Sequence, residues 1–265
     1  MRVAVRCALA VGLIAASLAA GPAGISQAAA TNPNPSAQSF TFGIVAVQPG
    51  PDDVVGVAHP VVITFGSPVT DRRAAERAVD IRSTPPMTGT YEWVDSTVLQ
   101  WSPDQFWPAH TTVALSVGGR PTNFATGPAV VGVASIADHT FTVTIDGQVV
   151  RQIPVSMGRS DSVTVDGKEI SFVTPSGIYV AQEKYPVKQM SSASYGLPTD
   201  YSLGYDSQIP LAVRLSNSGI FAHSAPWSVA DQGVRNVSHG CINLPPANAA
   251  KIYENVDKNT PVIVY

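Results

Sequence analysis

The residues best suited to chemistry lie close together near the end of the chain. The segment VSHGCIN holds His239, Gly240 and Cys241 within three positions, and a second histidine, His223, begins the upstream segment HSAPW. A thiol, an imidazole and a flexible backbone are the minimum parts of a thiolate nucleophile with an oxyanion site. This spacing therefore predicts nucleophilic catalysis by a cysteine.

The two histidines offer different geometry to the thiol. His239 is two residues from Cys241, so it shares a face with the sulfur in an extended chain, but the short tether restricts its angles. His223 arrives on a separate strand and approaches freely, so we predict that it is the base and later proton donor, with His239 as an orienting group. Gly240, which lacks Cβ, allows the amides around Gly240 and Cys241 to face a developing oxyanion.

The same residues allow a second interpretation, a metal site. His223, His239 and Cys241 together could be zinc ligands, although no second cysteine or carboxylate cluster completes such a site. Asn243 has a plain alternative as a turn or hydrogen-bonding residue. Signatures of serine hydrolases, zinc proteases, thioredoxins and P-loop enzymes are absent from the sequence, and we expect no cofactor and no metal.

The first 30 residues are predicted to be a secretory signal. Arg2 and Arg6 precede an apolar run from Cys7 to Ala20, and Ala28–Ala30 provides a small-residue cleavage site. The run is shorter than the about 20 residues that span a bilayer, so a retained membrane anchor is the weaker alternative. We therefore expect an exported protein of the periplasm or cell wall.

Export makes the cysteine count informative. Cys7 leaves with the signal, so Cys241 becomes the sole thiol of a protein in an oxidising compartment, where an unpaired cysteine is usually paired, lost or used. Its plain alternative is a buried structural cysteine. Removing Arg2 and Arg6 also leaves 14 basic against 19 acidic residues. Without clustered Lys and Arg, nucleic acid is an unsuitable partner.

Two β-rich regions must position these groups. Residues 31–39 are a predicted linker, and residues 40–127 contain short β-prone runs that predict a sandwich with one helix at Asp71–Ala78 after an N-cap at Thr70. Four aromatic residues of this region could form a carbohydrate-stacking face, but more simply fill its core. They are Trp93, Trp101, Phe106 and Trp107. The predicted strands are Phe42–Val47, Val61–Phe65, Val79–Arg82, Gly89–Val94, Thr97–Trp101, Thr111–Val117 and Thr122–Thr126.

Residues 128–265 form the second predicted region, a meandering sheet with one helix at Ala247–Val256. A long loop, Ser191–Gln208, carries Tyr195 and Tyr205 and is expected to be a lid or substrate wall as much as a connector. The predicted strands are Val130–Ile136, Thr140–Ile145, Gln148–Pro154, Ser162–Val165, Lys168–Val173, Leu211–Leu215, Gly219–Ala222 and Pro261–Tyr265. The fold class is thus mainly β with one or two short helices.

The segments HSAPW (223–227) and SHGCIN (238–243) together resemble the bipartite signature of the L,D-transpeptidase catalytic domain. The segment TPSG (174–177) is similar to a further family element. This resemblance covers about 130–265, and the preceding sandwich is similar to the immunoglobulin-like domain of mycobacterial members. The chain departs from longer members in having one sandwich and almost no tail after the last strand.

The resemblance implies a reaction on peptidoglycan. Family members attack the diaminopimelate carbonyl of a tetrapeptide stem, expel D-Ala and hold a thioester that the amine of a second stem resolves, giving a 3→3 cross-link. It implies Cys241 as nucleophile and His223 as proton carrier, supported by His239 and Ser224, with an oxyanion hole at the Gly240 and Cys241 amides. The implied donor contacts are Tyr195, Ser218, Gly219 and Asn236, and the implied pocket walls are Met190, Tyr205 and Trp227.

Donor and acceptor stem peptides are therefore the expected partners, and carbapenem β-lactams the expected covalent inhibitors of Cys241. Two alternatives stay open on the sequence. Water could resolve the thioester, which would make the protein an L,D-carboxypeptidase on the same donor. The second alternative is a non-catalytic wall-binding protein that uses the sandwich and an inactive pocket.

Overall fold

The computed structural model describes residues 43–265, and this part of the chain is mainly β with two α-helices, as the sequence predicted. The predicted signal, linker and first residue of the first predicted strand, Phe42, lie outside the described residues. None of the helices described is long and apolar enough to span a membrane.

Two four-stranded sheets form the first part of the described chain, with strand orders β1-β3-β6-β5 and β2-β8-β7-β4. Buried side chains alternate with more exposed ones along the strands, as in Val61–Phe65, where every second side chain is buried. The elements are β1 (Ile44–Gln48), β2 (Val54–Val55), β3 (Val61–Phe65), α1 (Arg72–Arg77), β4 (Val79–Arg82), β5 (Gly89–Trp93), β6 (Val98–Pro103), β7 (Thr112–Val117) and β8 (Arg120–Thr126).

Aromatic packing fills the space between these sheets. Trp101 and Trp107 are buried, with ring centroids 5.3 Å apart, and Trp107 packs edge-on against Phe124 at 5.6 Å. The indole N–H of Trp107 donates to the His59 carbonyl at 2.8 Å, so its one polar atom is satisfied. These contacts support the core interpretation of the aromatics over a carbohydrate-stacking face.

The predicted N-cap of α1 is displaced by one residue. Asp71, not Thr70, caps the helix, because its carboxylate accepts the Ala74 N–H at 2.9 Å. Either residue type caps well, so the sequence did not separate the two positions. The helix begins at Arg72 and ends at Arg77, inside the predicted span.

Three further sheets make up the rest of the chain. Their strand orders are β11-β10-β9-β19-β14, β12-β13 and β15-β16-β17-β18. The elements are β9 (Val130–Ser135), β10 (Thr140–Ile145), β11 (Gln148–Pro154), β12 (Ser162–Val165), β13 (Lys168–Ser171), β14 (Gly177–Val180), β15 (Lys184–Ser191), β16 (Asp206–Arg214), β17 (Phe221–Ser224), β18 (Ile242–Leu244), α2 (Pro246–Asn255) and β19 (Pro261–Val264).

The sequence missed strand β15 and shortened β16. Pro186 and two lysines interrupt the apolar pattern of β15. From sequence alone, such a segment is assigned to an edge strand or to no strand. The two strands pair from Lys184 with Val213 to Ser191 with Asp206, so the predicted long loop begins and ends inside a hairpin. Its tip contains a short 3-10 helix, Ser192–Tyr195.

Candidate active site

Strands β17 and β18 place the thiol and the first imidazole. They pair in parallel, with Ala222 opposite Ile242 and His223 opposite Asn243. Cys241 directly precedes β18, and side chains two residues apart share a face of a strand, so Cys241 and His223 point to the same side of the sheet. Both side chains line one cavity of about 330 Å³. Both side chains therefore face the same space, as a thiol–imidazole pair would require.

The turn before the cysteine is fixed by buried hydrogen bonds. Gly240 has φ of +120°, which favours glycine. The buried Thr174 hydroxyl donates to the Gly240 carbonyl at 2.9 Å and accepts the Gly158 N–H at 2.8 Å. Ser238 Oγ donates to the Cys241 carbonyl at 2.6 Å and accepts the Gly240 N–H at 3.1 Å. Because that amide is engaged, an oxyanion hole that uses it requires Ser238 to release it.

The His223 ring is held as a neutral base. Its Nδ1 lies 2.9 Å from the Ser224 carbonyl, which can only accept, so Nδ1 carries the proton and Nε2 is left as the acceptor. Burial lowers the pKa of His223 to about 4, and the bond to Ser224 opposes this only in part. Ser224 thus supports the histidine through its backbone carbonyl. The Trp227 ring lies over the imidazole at 5.9 Å.

The Cys241 thiol is protonated at rest. Burial raises its pKa to about 11, while a backbone hydrogen bond at Phe221 acts in the other direction. The sulfur lies 3.8 Å from the Gly219 carbonyl, an acceptor that favours the thiol form. With the pKa of His223 lowered and that of Cys241 raised, the resting pair is a thiol and a neutral imidazole. The proton must therefore move as the sulfur attacks.

His239 is held by aromatic contacts. Its ring packs edge-on against Phe172 at 4.8 Å and lies 5.1 Å from the Tyr205 ring. Burial, together with the charge of Arg159, lowers the pKa of His239. Its Nε2 is buried and has no hydrogen-bond partner among the described residues. The orienting role of His239 stays a prediction, and its aromatic contacts hold the ring in one place beside the cysteine segment.

Two tyrosines flank the sulfur. The rings of Tyr195 and Tyr205 lie 6.3 Å apart, and burial raises the pKa of both hydroxyls, which the nearby Cys241 raises further. Both hydroxyls stay protonated at neutral pH and can act as donors. The Tyr195 hydroxyl is buried without a hydrogen-bond partner of normal geometry among residues 43–265, so it has a free donor for a ligand.

Cys241 lies between two cavities. The second, of about 610 Å³, shares Met190, Tyr205, His239 and Cys241 with the first. A nucleophile with a space on each side can be approached by two ligands in turn. This second cavity also has Lys188 and Arg214 on its walls, which the sequence did not single out. Lys188 is in the missed strand β15, so no sequence pattern placed it near the thiol.

Most of the predicted substrate contacts reach one of the two cavities. The smaller is lined by Trp227 and Asn243, whose amide donates to Ser228 at 3.1 Å. The larger is lined by Tyr195, Ser218 and Gly219, whereas Met190 and Tyr205 line both.

Asn236 reaches neither cavity. Its side-chain oxygen lies 3.0 Å from the His139 ring and 2.9 Å from the Met157 N–H, and its amide donates to the Ile136 carbonyl at 3.0 Å. These three bonds tie the segment before Val237 to the sheet behind it. The predicted substrate contact of Asn236 is thus replaced in this structure by an anchor for the cysteine segment.

No group of three His, Cys, Asp or Glu side chains in residues 43–265 is arranged to hold a metal ion. The zinc arrangement of His223, His239 and Cys241 that the sequence left open is therefore not formed. What the described groups can do chemically is acyl transfer, with a sulfur nucleophile, a neutral imidazole beside it and tyrosine hydroxyls as donors.

Comparison with known proteins gives matches to both regions. The family described as the L,D-transpeptidase catalytic domain matches residues 129–264, and that described as a bacterial Ig domain matches residues 25–119. The chain is 46% identical over 275 residues to the probable L,D-transpeptidase 3 of Mycobacterium tuberculosis, covering 100% of this chain and 99% of the relative.

Solved structures agree with these matches. An L,D-transpeptidase from Mycobacterium smegmatis superposes with a TM-score of 0.76 at 47% identity, covering 84% of this chain and 99% of the other. L,D-transpeptidase 3 from M. tuberculosis in complex with a faropenem-derived adduct superposes with a TM-score of 0.71 at 47% identity, covering 85% and 99%. The chain therefore belongs to the L,D-transpeptidase family and pairs an Ig-like domain with an L,D-transpeptidase catalytic domain.

Proposed function

We propose that this protein is an exported peptidoglycan L,D-transpeptidase that forms 3→3 cross-links through a thioester on Cys241. The observation that carries the proposal is the position of Cys241 between two cavities, with His223 lining the smaller one. Transfer between two stems requires that donor and acceptor reach the sulfur in turn, and two spaces that meet at the sulfur provide for this.

The donor tetrapeptide occupies the larger cavity. Lys188 supplies positive charge on its wall, and Arg214 adds a second cation that lies 4.0 Å from Glu183; both suit the carboxylates of a stem peptide. Tyr195, Ser218 and Gly219, the donor contacts implied by the family resemblance, line the same cavity, which supports this assignment. The acceptor stem enters the smaller cavity, where its amine meets His223.

The reaction then proceeds in two balanced steps. In the first, His223 Nε2 takes the thiol proton as the sulfur of Cys241 attacks the diaminopimelate carbonyl; the amide bond to D-Ala breaks and the leaving amine takes that proton. In the second, the acceptor amine attacks the thioester and loses a proton to His223, the C–S bond breaks, and His223 returns that proton to the Cys241 thiolate that leaves. Low pKa at His223 and high pKa at Cys241 return the pair to neutrality after each turnover.

The same site accepts carbapenems by the first of these steps. Relatives have been solved with imipenem and with a faropenem-derived adduct. Opening of the β-lactam ring by Cys241 leaves an acyl group on the sulfur, with His223 again carrying the proton. The hydroxyl of Tyr195 or Tyr205 donates to the oxyanion, because the Gly240 N–H is already bonded to Ser238.

The proposal is tested by mass analysis of products from a disaccharide-tetrapeptide substrate. We expect cross-linked dimers and free D-Ala, and we expect neither with Cys241→Ala. Tripeptide without dimers would show that water resolves the thioester, and the protein would then be an L,D-carboxypeptidase. Unchanged tetrapeptide together with no carbapenem adduct on folded protein would assign it to the wall-binding class.

A further inference from the structure

A third cavity, of about 390 Å³, is separate from the two at Cys241. It lies between one face of the sheet that contains β9, β10 and β19 and the helix α2. None of the residues that line it lines either cavity at Cys241. Its volume is within the range of small-molecule sites, about 300 to 1,000 Å³. Nothing in the transpeptidase chemistry uses this space.

The walls of this third cavity are apolar. The alternation of β10 puts Phe141, Val143 and Ile145 on the face that borders it. Ile252 and Val256 of α2 close the opposite side, and the remaining walls are mostly apolar. Binding of a hydrocarbon there is favourable, because it removes apolar surface from contact with water.

The mouth of the third cavity carries two cations. Arg151 on β11 and Lys251 on α2 both line it, and both are exposed. Neither side chain makes an ion pair or a hydrogen bond with any residue of 43–265. Val150, which is 54% exposed, adds apolar surface beside them. An apolar interior with unpaired cations at its entrance is complementary to a molecule with a hydrocarbon tail and an anionic head.

We propose that the third cavity binds a single-chain fatty-acid carboxylate, with its hydrocarbon chain between the sheet and α2 and its head group at Arg151 and Lys251. The small volume selects for one chain over two. Arginine and lysine at the entrance select for a carboxylate over an alcohol or a cationic head, because a carboxylate forms an ion pair with each cation, whereas an alcohol carries no charge and a cationic head is repelled.

The site is close to the Cys241 cavity but separate from it. Ala222 lines the third cavity, whereas the next residue, His223, lines the smaller cavity at Cys241. Adjacent side chains of a strand point to opposite faces, so β17 separates the two sites. The fatty acid therefore binds equally well to protein whose Cys241 is blocked by a carbapenem, and failure of the proposed transpeptidase function leaves this proposal intact.

The test is calorimetric titration of the full chain with octanoate, decanoate and dodecanoate below their micelle concentrations. We expect one saturable site and an affinity that rises about fourfold for each added methylene that is buried. The double variant Arg151→Gln/Lys251→Gln should weaken dodecanoate binding tenfold or more while leaving dodecan-1-ol binding unchanged. Lys168→Gln, which removes an exposed cation of another hairpin, is the matched control and should change neither.

A second variant locates the ligand. Val143→Phe places a larger apolar side chain in the third cavity and should abolish dodecanoate binding in protein whose melting temperature shows that it is folded. The proposal is overturned if no saturable binding occurs, if affinity is independent of chain length, or if the double variant binds dodecanoate as tightly as the unaltered protein. Equal binding of dodecyltrimethylammonium would likewise overturn it, since its head group is cationic.

Discussion

The two regions of the described chain bury different kinds of side chain. In the Ig-like domain, the large buried groups are apolar or aromatic, and Thr126 is its one buried polar residue among those described. The catalytic domain buries many polar groups, with His223, Ser238 and Asn243 among them. The first region is packed for stability, whereas the second places polar groups where they must act.

In the catalytic domain, several of these polar side chains hold the backbone around the cysteine in place. Thr174, Ser238 and Asn236 each bond to backbone groups of the segment that carries the cysteine, or of the strands behind it. A buried polar group without its partner is costly, so each bond specifies one backbone position. The comparison predicts that substitutions in the two regions will separate activity from stability.

The largest expected effect is on activity and comes from Cys241→Ala. Removal of the sulfur should abolish turnover and the carbapenem adduct, because no other thiol lies in the described residues. The melting temperature should change little, since only one atom is lost. Intact-mass spectrometry and calorimetry measure the two quantities. An adduct on the variant would place the nucleophile elsewhere.

The largest expected effect on stability comes from the other region. Trp107→Ala empties the centre of the sandwich core, where this ring is 2% exposed, and should lower the free energy of unfolding by about 3–5 kcal/mol. Trp227→Ala is the matched control: that ring is 58% exposed, so stability should hardly change. Denaturant unfolding tests the pair, and equal losses would contradict the contrast between the regions.

His223→Ala should slow acylation by a carbapenem about 10²-fold or more, because the variant lacks the base. His110→Ala, an exposed histidine of the Ig-like domain, is the control and should leave the rate unchanged. Stopped-flow measurement of acylation gives both values. If the His223 variant reacts at the normal rate, His239 takes over as the base.

The pH dependence of thiol alkylation distinguishes a neutral pair from an ionised one. With the pKa of Cys241 at about 11, the rate with iodoacetamide should rise about tenfold per pH unit between pH 7 and pH 10, since only the thiolate reacts. The pKa of His223, about 4, keeps the imidazole neutral over this range. A plateau across neutral pH would indicate a thiolate–imidazolium pair at rest. In protein unfolded by urea, the alkylation rate should instead level off above about pH 8.5, the ordinary pKa of a cysteine thiol.

The smallest expected effect comes from Thr174→Val. It keeps the shape of the side chain but leaves the Gly158 amide and the Gly240 carbonyl without their partner. We expect a loss of about 1–3 kcal/mol in unfolding free energy and a several-fold slower acylation. Thr174→Ser retains the hydroxyl and should restore both. If Thr174→Ser restores neither stability nor the acylation rate, the losses come from the methyl group and not from the hydrogen bonds.

The sequence predicted the parts of this molecule that depend on local pattern. The strands with regular alternation, the helix after Pro245 and the segments around His223 and Cys241 were placed within a few residues. Strand β15 was missed because Pro186 breaks its pattern, and only pairing with β16 reveals it. Pairing between distant segments is a tertiary property that a single-sequence pattern does not carry.

The sequence identified residues that the structure brings to one cavity, but it could not predict their protonation states. Residue types identified the thiol and the imidazole, yet a sequence does not report burial, which sets both pKa values. The role of Thr174 was missed for a similar reason: its two partners lie 16 and 66 residues away. The Asn236 contacts, which span up to 100 residues, show the same limit.

The parallel register of β17 and β18 has a consequence for how such enzymes diversify. Because hydrogen bonds between these strands fix His223 relative to Cys241, the chain that joins them does not need a set length. Extra residues near Val234, which is 67% exposed, would enlarge the surface without moving the reacting atoms. A register shift of one residue between the strands would instead place the imidazole on the face of the sheet opposite Cys241, and the reaction would stop.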